Sequence, residues 1–417
     1  MWKALARHVK RSRVTNARTY IALSAGNGDF GRLGREEAVD ENGDASLKSS
    51  NYFHPIEELT GIDVRSIAAG GAHSVFLDSN GLVFTCGLND CGQLGHSAGL
   101  PFAAEPMLVP IDVEVVQIAA GNHHTLCVDV NGHVWAFGKN TSGQLGTGGA
   151  EGYEPKKVAA LEREARILQV ACGAEHSLAV CDRGEVYSWG SSVDGILGHG
   201  AETWNQGWFY RTGKTETSPR LVRALQTSKV LTVAAGHMHS ACIDDQGNLY
   251  TWGQGRFNQL GLSGDKFTDH QTTPSRVSSI RFAHAVACGG LHTLASTNAG
   301  VVSWGANQHG ELGHGRHSDY KSALPKLIQS GTIGWSKLSA GWKHSAAITH
   351  NGELFTWGFG GSVGSHAGEG ASSGGQLGLG NEFDYWEPTS VPVPGEVREV
   401  ACGFNHTLAL VDTAASR

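Results

Sequence analysis

No run of apolar residues in this chain approaches the roughly 18 consecutive positions a membrane-spanning helix needs, so no membrane insertion is expected. The eight cysteines contain no Cys-x-x-Cys pair, which argues against a zinc-ribbon or dithiol redox framework. No Gly-x-x-x-x-Gly-Lys-Ser/Thr loop is present to cradle a phosphate. Charged residues are scarce at 17%, against about 25% in ordinary globular chains. The first acidic residue is Asp29. What the chain has in excess is glycine, 58 of 417 residues, about twice the usual share of roughly 7%.

Those glycines recur in a frame. It is clearest at residues 341–358, GWKHSAAITHNGELFTWG: Gly-x-x-His, an alternating run, a turn glycine, a second alternating run, and an aromatic-Gly pair. Further copies begin at Gly70, Gly121, Gly173, Gly236 and Gly289, and a half copy, GFNHTLALVD, begins at Gly403. Apolar residues alternate with small or polar ones at period two, the pattern of a strand. Asn80-Gly81, Asn131-Gly132 and Asn351-Gly352 predict two-residue turns in which both residues take positive φ. Each copy is thus a hairpin, preceded by one more strand such as residues 65–69, 115–119 or 168–172. Stretches such as 105–110 and 155–158 predict short outer strands.

The leading glycines lie 51 to 63 residues apart. Repeats of this size holding several short strands point to a propeller, because one small sheet cannot bury both its faces and a closed ring of sheets can. Seven leading glycines predict seven blades. After the aromatic-Gly pair most copies continue into a Gly-Gln-Leu-Gly-like turn (92–95, 143–146, 258–261, 310–313, 375–378). The last copy stops short of it, and the missing half stands at residues 20–34, YIALSAGNGDFGRLG. The fold predicted is all-β: a seven-bladed propeller over residues 19–412, closed by an N-terminal strand pairing with the C-terminal blade, with residues 413–417 as a tail.

The unit Gly-x-x-His-Ser/Thr…Gly…Trp-Gly…Gly-x-Leu-Gly resembles the repeat of the regulator of chromosome condensation family, over nearly the whole chain. The resemblance implies a seven-bladed propeller. It leaves function open, since such propellers serve as nucleotide-exchange factors, as a UV-B photoreceptor, as scaffolds, and as organelle proteins for RNA processing or ribosome assembly. The chain looks most like an organellar, plant-type mitochondrial member.

Residues 1–18, MWKALARHVKRSRVTNAR, carry six basic residues and no acid. If helical, Trp2, Leu5, Ala6 and Val9 share a face. This is the composition of a transit peptide, which predicts a mitochondrial protein. A nuclear, phosphate-contacting basic arm is the alternative, and an inert arm the bland one. Without this segment the body holds 26 basic and 39 acidic residues, a net charge of −13. Such a body lacks the basic footprint of a nucleic-acid binder and suits a basic protein partner.

Two surfaces are candidates for that partner. One is the insertion holding Trp204, Trp208, Phe209, Tyr210 and Arg211, the residue types of binding hot spots, or else rings folded back over the propeller end. The other is the variable pair inside each Gly-x-x-His, expected to ring one face, with Trp342, Lys343 and Phe404 as its anchors on adjacent blades. The bland reading makes these pairs solvated loop residues. Residues 36–51 read as an exposed loop, the Gly/Ser-rich stretch after Gly358 as a flexible insertion, and Phe383, Tyr385 and Trp386 as packing residues.

His73, His124, His176, His239, His292, His344 and His406 stand one per blade, too dispersed to converge on one metal ion. They are read as structural, each hydrogen-bonding within its own blade. Cys172, Cys288 and Cys402 replace alanine before the leading glycine, Cys86 replaces Trp, and Cys127, Cys181 and Cys242 lie in the following strand; all are read as small buried hydrophobes. No catalytic, metal or cofactor site is expected.

The function expected is a non-enzymatic, monomeric scaffold for protein partners in mitochondria, supporting RNA processing or ribosome and respiratory-complex assembly, with any RNA contact indirect. The alternatives are an exchange factor for a small GTPase and a nuclear chromatin-associated propeller. Light sensing is disfavoured. The UV-B receptor resembled here uses Gly-Trp-Arg-His motifs on neighbouring blades, and this chain has one such slot, Trp342 followed by Lys343.

Overall fold

The computed structural model describes residues 20–35, 38–39, 45–46, 49–149, 152–162, 166–200, 215–262, 269–329, 334–361 and 374–412. Within them lie seven four-stranded antiparallel sheets. Blade I holds Val64–Ala69, His73–Asp78, Val83–Leu88 and Phe102–Leu108, from the axis outward. Blades II to VI repeat this over residues 115–157, 167–221, 230–276, 283–327 and 335–390. The 38–39 and 45–46 pair forms a small separate sheet.

Blade VII is built from both ends of the chain. Glu396–Cys402 and His406–Asp412 come from the C-terminal side. Tyr20–Gly26 pairs along the whole of His406–Asp412, from Tyr20 opposite Asp412 to Gly26 opposite His406. The closure goes one strand further than the sequence suggested. Ser50–Pro55, the end of the expected loop and the residues just beyond it, pairs outside Tyr20–Gly26 as the fourth strand. Its alternation of half-buried and exposed residues is too weak to read without the sheet it completes.

The hairpin turns also differ from expectation. Asp78 N–H donates to the Leu82 carbonyl (2.9 Å) and Gly81 N–H to the Asp78 carbonyl (3.2 Å), so the loop is three residues, not two. Gly81 has φ +77° and Asn80 is not in the left-handed region. The Asp78 carboxylate accepts from the Asn80 and Leu82 N–H groups, both at 2.8 Å. That cap stabilises a turn ending in one left-handed glycine. Asp129 and Asp244 do the same in blades II and IV.

The second strand of every blade is buried along nearly its whole length, and the core lies between blades. Leu126 and Val128 of blade II, for example, share one cluster with Val170, Ala179 and Trp189 of blade III. Burial of this kind contributes about 25 cal/mol per Å². It exists only where a neighbouring blade covers the sheet, which is why the ring must close.

Candidate interaction surface

The Gly-x-x-His segments sit where each first strand turns into the second. In each, the leading glycine is required by close approach: a Cβ on Gly70 would overlap the imidazole of His73 and the backbone of Gly121. The residue after it reaches the next blade. Gly71 N–H donates to Gly121 carbonyl (3.1 Å), Trp342 to Gly403 (3.2 Å) and Phe404 back to Gly70 (3.1 Å). The last of these closes the circle.

The histidines form a second circle, and here the expectation is corrected. Their partners lie on the next blade, not their own. His73 Nε2 pairs with Thr125 Oγ1 (3.0 Å), His124 with Ser177 (3.0 Å), His176 with Ser240 (2.9 Å) and His239 with Thr293 (2.9 Å). His292 pairs with Ser345 (2.9 Å), His344 with Thr407 (2.9 Å), and His406 with Ser74 (3.0 Å). Each hydroxyl donates in turn to a carbonyl in the turn of the preceding blade, such as Ser177 to Gln144 and Thr293 to Gln259, both at 2.8 Å. A hydroxyl has one proton, so it accepts from the imidazole, which fixes the neutral Nε2–H tautomer. Burial pushes His73, His124, His176, His239 and His344 down to about 3, His292 to about 4, and His406 well below its ordinary value. The rings are neutral staples between blades.

The variable pairs do ring one end of the channel, but each pair divides. The first members, including Asn122, Ala174, His237, Gly290, Trp342 and Phe404, line a cavity of about 100 Å³ on the axis. Trp342 stacks on Phe404 with centroids 4.6 Å apart and planes at 12°, and the His237 ring meets Trp342 edge-on at 4.2 Å. Gly290 lies between, where a Cβ would strike the Trp342 ring. Burial lowers His237 to about 4, so this aromatic cluster is uncharged at neutral pH. Trp342, Phe404 and His237 are all half-buried.

The second members turn away from the axis. Lys343 does not line the cavity; its Nζ stands 5.5 Å over the Phe359 ring. Glu175 accepts from Lys139 Nζ (2.9 Å) and Ser142 Oγ (3.1 Å) of blade II, and these partners hold its carboxyl below the ordinary range despite burial. Trp342 and Phe404 are therefore brought together and Lys343 is set apart.

Trp204, Trp208, Phe209, Tyr210 and Arg211 lie outside the described residues, as do residues 1–18. Phe383, read as packing, is 68% exposed. Cys172, Cys288 and Cys402 line the channel and also pack against the clusters between blades. The sequence reading also passed over an apolar arc at the far end of the first strands. Val116, Leu168 and Leu231 occupy the same position in blades II, III and IV and are all more than half exposed. Blade I has Arg65 there and blade V His284, a contrast visible once strands are in register.

Residues 21–409 match the family profile described as RCC1-like domain. The Ultraviolet-B receptor UVR8 of Arabidopsis thaliana is 34% identical over 357 residues, 83% of this chain and 74% of the receptor. The Probable E3 ubiquitin-protein ligase HERC6 of Homo sapiens is 34% identical over 72% of this chain, which spans 28% of that protein. Among solved structures, human WBSCR16 superposes with a TM-score of 0.78 and 26% identity, covering 95% of this chain and 100% of that one. Yeast RCC1 (Prp20), solved bound to Kap60, superposes at 0.79 with 22% identity, covering 97% and 91%, a likeness of fold.

Proposed function

The chain belongs to the RCC1-like domain family, and from that premise we propose that it is a non-enzymatic scaffold that holds a protein partner against the mouth of its channel, in mitochondria, in support of RNA processing or of ribosome and respiratory-complex assembly. The observation that carries the reading is the Trp342–Phe404 stack with His237 on its edge, half-buried and open on the axis. Stacked aromatics in a preformed concavity supply contact area at small entropic cost, which is what interface anchors require. Neither ring is needed to build its blade, since other copies carry Gly71, Asn122 or Gly290 at that place. The net charge of −13 outside residues 1–18 favours a basic partner. The transit-like composition of residues 1–18 supports the compartment.

Residues 1–40 fused to a fluorescent reporter are expected in mitochondria; a purely nuclear signal overturns that part. Partners co-purified from organelles with the full chain are expected to be lost by Trp342→Ala with Phe404→Ala, with the thermal transition lowered only slightly. Retention of every partner overturns the mouth as the binding surface. If the chain instead speeds release of labelled nucleotide from a small GTPase, the exchange-factor reading replaces this one.

A further inference from the structure

Seven of the eight cysteines fall within the strands of the repeat frame. Cys91 does not. It lies in the turn after Val83–Leu88 of blade I, beside Asp90. The Asp90 carboxylate, the Cys91 sulfur and an imidazole nitrogen of His123 lie within 4.8 Å of one another. His123 belongs to blade II and is the second, outward-turned member of its variable pair.

The matching place at the next interface shows what is unusual here. There Ser142 donates to Glu175 at 3.1 Å and Lys139 closes the pair at 2.9 Å, a satisfied contact between two blades. At the first interface His123 Nδ1 is buried and has no hydrogen-bond partner among the described residues. Meanwhile the backbone that carries the other two groups is fixed. The Cys91 N–H donates to Gln93 Oε1 (3.0 Å) and the Asp90 carbonyl accepts from Tyr153 O–H (2.9 Å). Gln93 Nε2 donates to Asp90 Oδ1 (2.8 Å), which orients the carboxylate and leaves Oδ2 to face another group. Such outer hydrogen bonds are what hold metal ligands in place.

We propose that Asp90, Cys91 and His123 form a three-ligand site for a zinc-class divalent cation, bridging blades I and II at the rim of the channel mouth. Thiolate with imidazole selects a borderline-soft ion over magnesium or calcium. Bonds of about 2.0–2.3 Å in a tetrahedral site place ligands about 3.3–3.8 Å apart, within reach of small side-chain movements from separations of 4.8 Å or less. One thiolate and one carboxylate balance a dication. Three protein ligands leave the fourth position open to water or to a donor from a docked protein. The site stands on its own geometry and does not depend on the proposed scaffold role.

The test is titration of the full, chelator-stripped chain with Co²⁺ alone under reducing conditions. One equivalent is expected to bind, with thiolate-to-cobalt charge-transfer absorption and the intense d–d bands of tetrahedral geometry, and Zn²⁺ but not Mg²⁺ is expected to bleach them. Cys91→Ser should abolish the charge-transfer band, and His123→Ala should weaken Co²⁺ binding by at least about 100-fold. Asp90→Asn alters an exposed side chain and leaves the fold intact, so it serves as the second variant: about 10-fold weaker binding with the band retained. Absence of a thiolate band in the native chain, or its persistence in Cys91→Ser, overturns the proposal. Unchanged affinity in both His123→Ala and Asp90→Asn does so equally.

Discussion

Blades III to VI and blades VII, I and II use the same histidine staple but differ in what reinforces it. In the first group the residue just before the glycine near the end of the third strand is Trp189, Trp252, Trp304 or Trp357, fully buried. Each indole N–H donates to the turn carbonyl of the preceding blade, at Gln144, Ile196, Gln259 and Glu311, 2.8 to 2.9 Å away. That carbonyl also accepts the Ser or Thr hydroxyl of the staple. In the second group the place holds Ala25, Cys86 and Phe137. Cys86 Sγ approaches the Arg32 carbonyl only to 3.8 Å. The three interfaces without the indole are consecutive and include both flanks of blade VII, the sheet in which the two ends of the chain pair. The ring is thus stapled seven times and doubly fastened four times, with its lighter fastenings around the seam.

The sharpest way to break this comparison is Trp252→Ala. Loss of a fully buried indole, its hydrogen bond and its packing is expected to cost about 3–5 kcal/mol, read as a fall in the denaturant midpoint, whereas Phe137→Leu at the matching place of blade II should cost less than half as much. Next in size is removal of one staple. His239→Ala leaves the Thr293 hydroxyl without its donor and should cost about 1–3 kcal/mol. His406→Ala should cost a similar amount but, lying at the seam, should also speed amide exchange of Tyr20–Gly26. Equal exchange in both variants would remove the seam from the account.

Acid should act on all seven interfaces together. The unfolded chain protonates its histidines near 6.5, while the buried His73, His124, His176, His239, His292 and His344 take protons only near 3 to 4. Between those limits the unfolded state binds more protons, so stability rises with pH. The contribution is complete above about pH 6.5 and drains away as pH falls toward 3. A denaturation midpoint that stays level from pH 7 to pH 4 would show that the rings are not neutral staples.

The smallest expected effect is that of Trp342→Ala on stability. Trp342 is half-buried at the mouth, and Asn122 or Gly290 serves in its place elsewhere, so a loss within about 1 kcal/mol is expected. A loss as large as that of Trp252→Ala would make it a core residue and weaken its assignment as a partner anchor.

The number of blades was legible because the leading glycine and the histidine three residues on are local necessities, repeated wherever a blade is made. The meeting of the chain ends was legible because half a repeat was missing at one end and present at the other. The histidine partners were not. Thr125 stands 52 residues from His73, and nothing in either segment favours that hydroxyl over one in its own blade. Nor could alternation tell that Trp342 faces the axis while Lys343 turns toward Phe359.

The sequence by itself determined the unit, its count and the fact of closure, since period-two burial and left-handed glycines act over a few residues. Only the tertiary structure decided which groups staple one blade to the next, which aromatics meet on the axis, and that Asp90 and Cys91 of one blade face His123 of another. Those pairings follow from the angle and spacing at which finished sheets pack around a ring, and no short segment of chain contains that information.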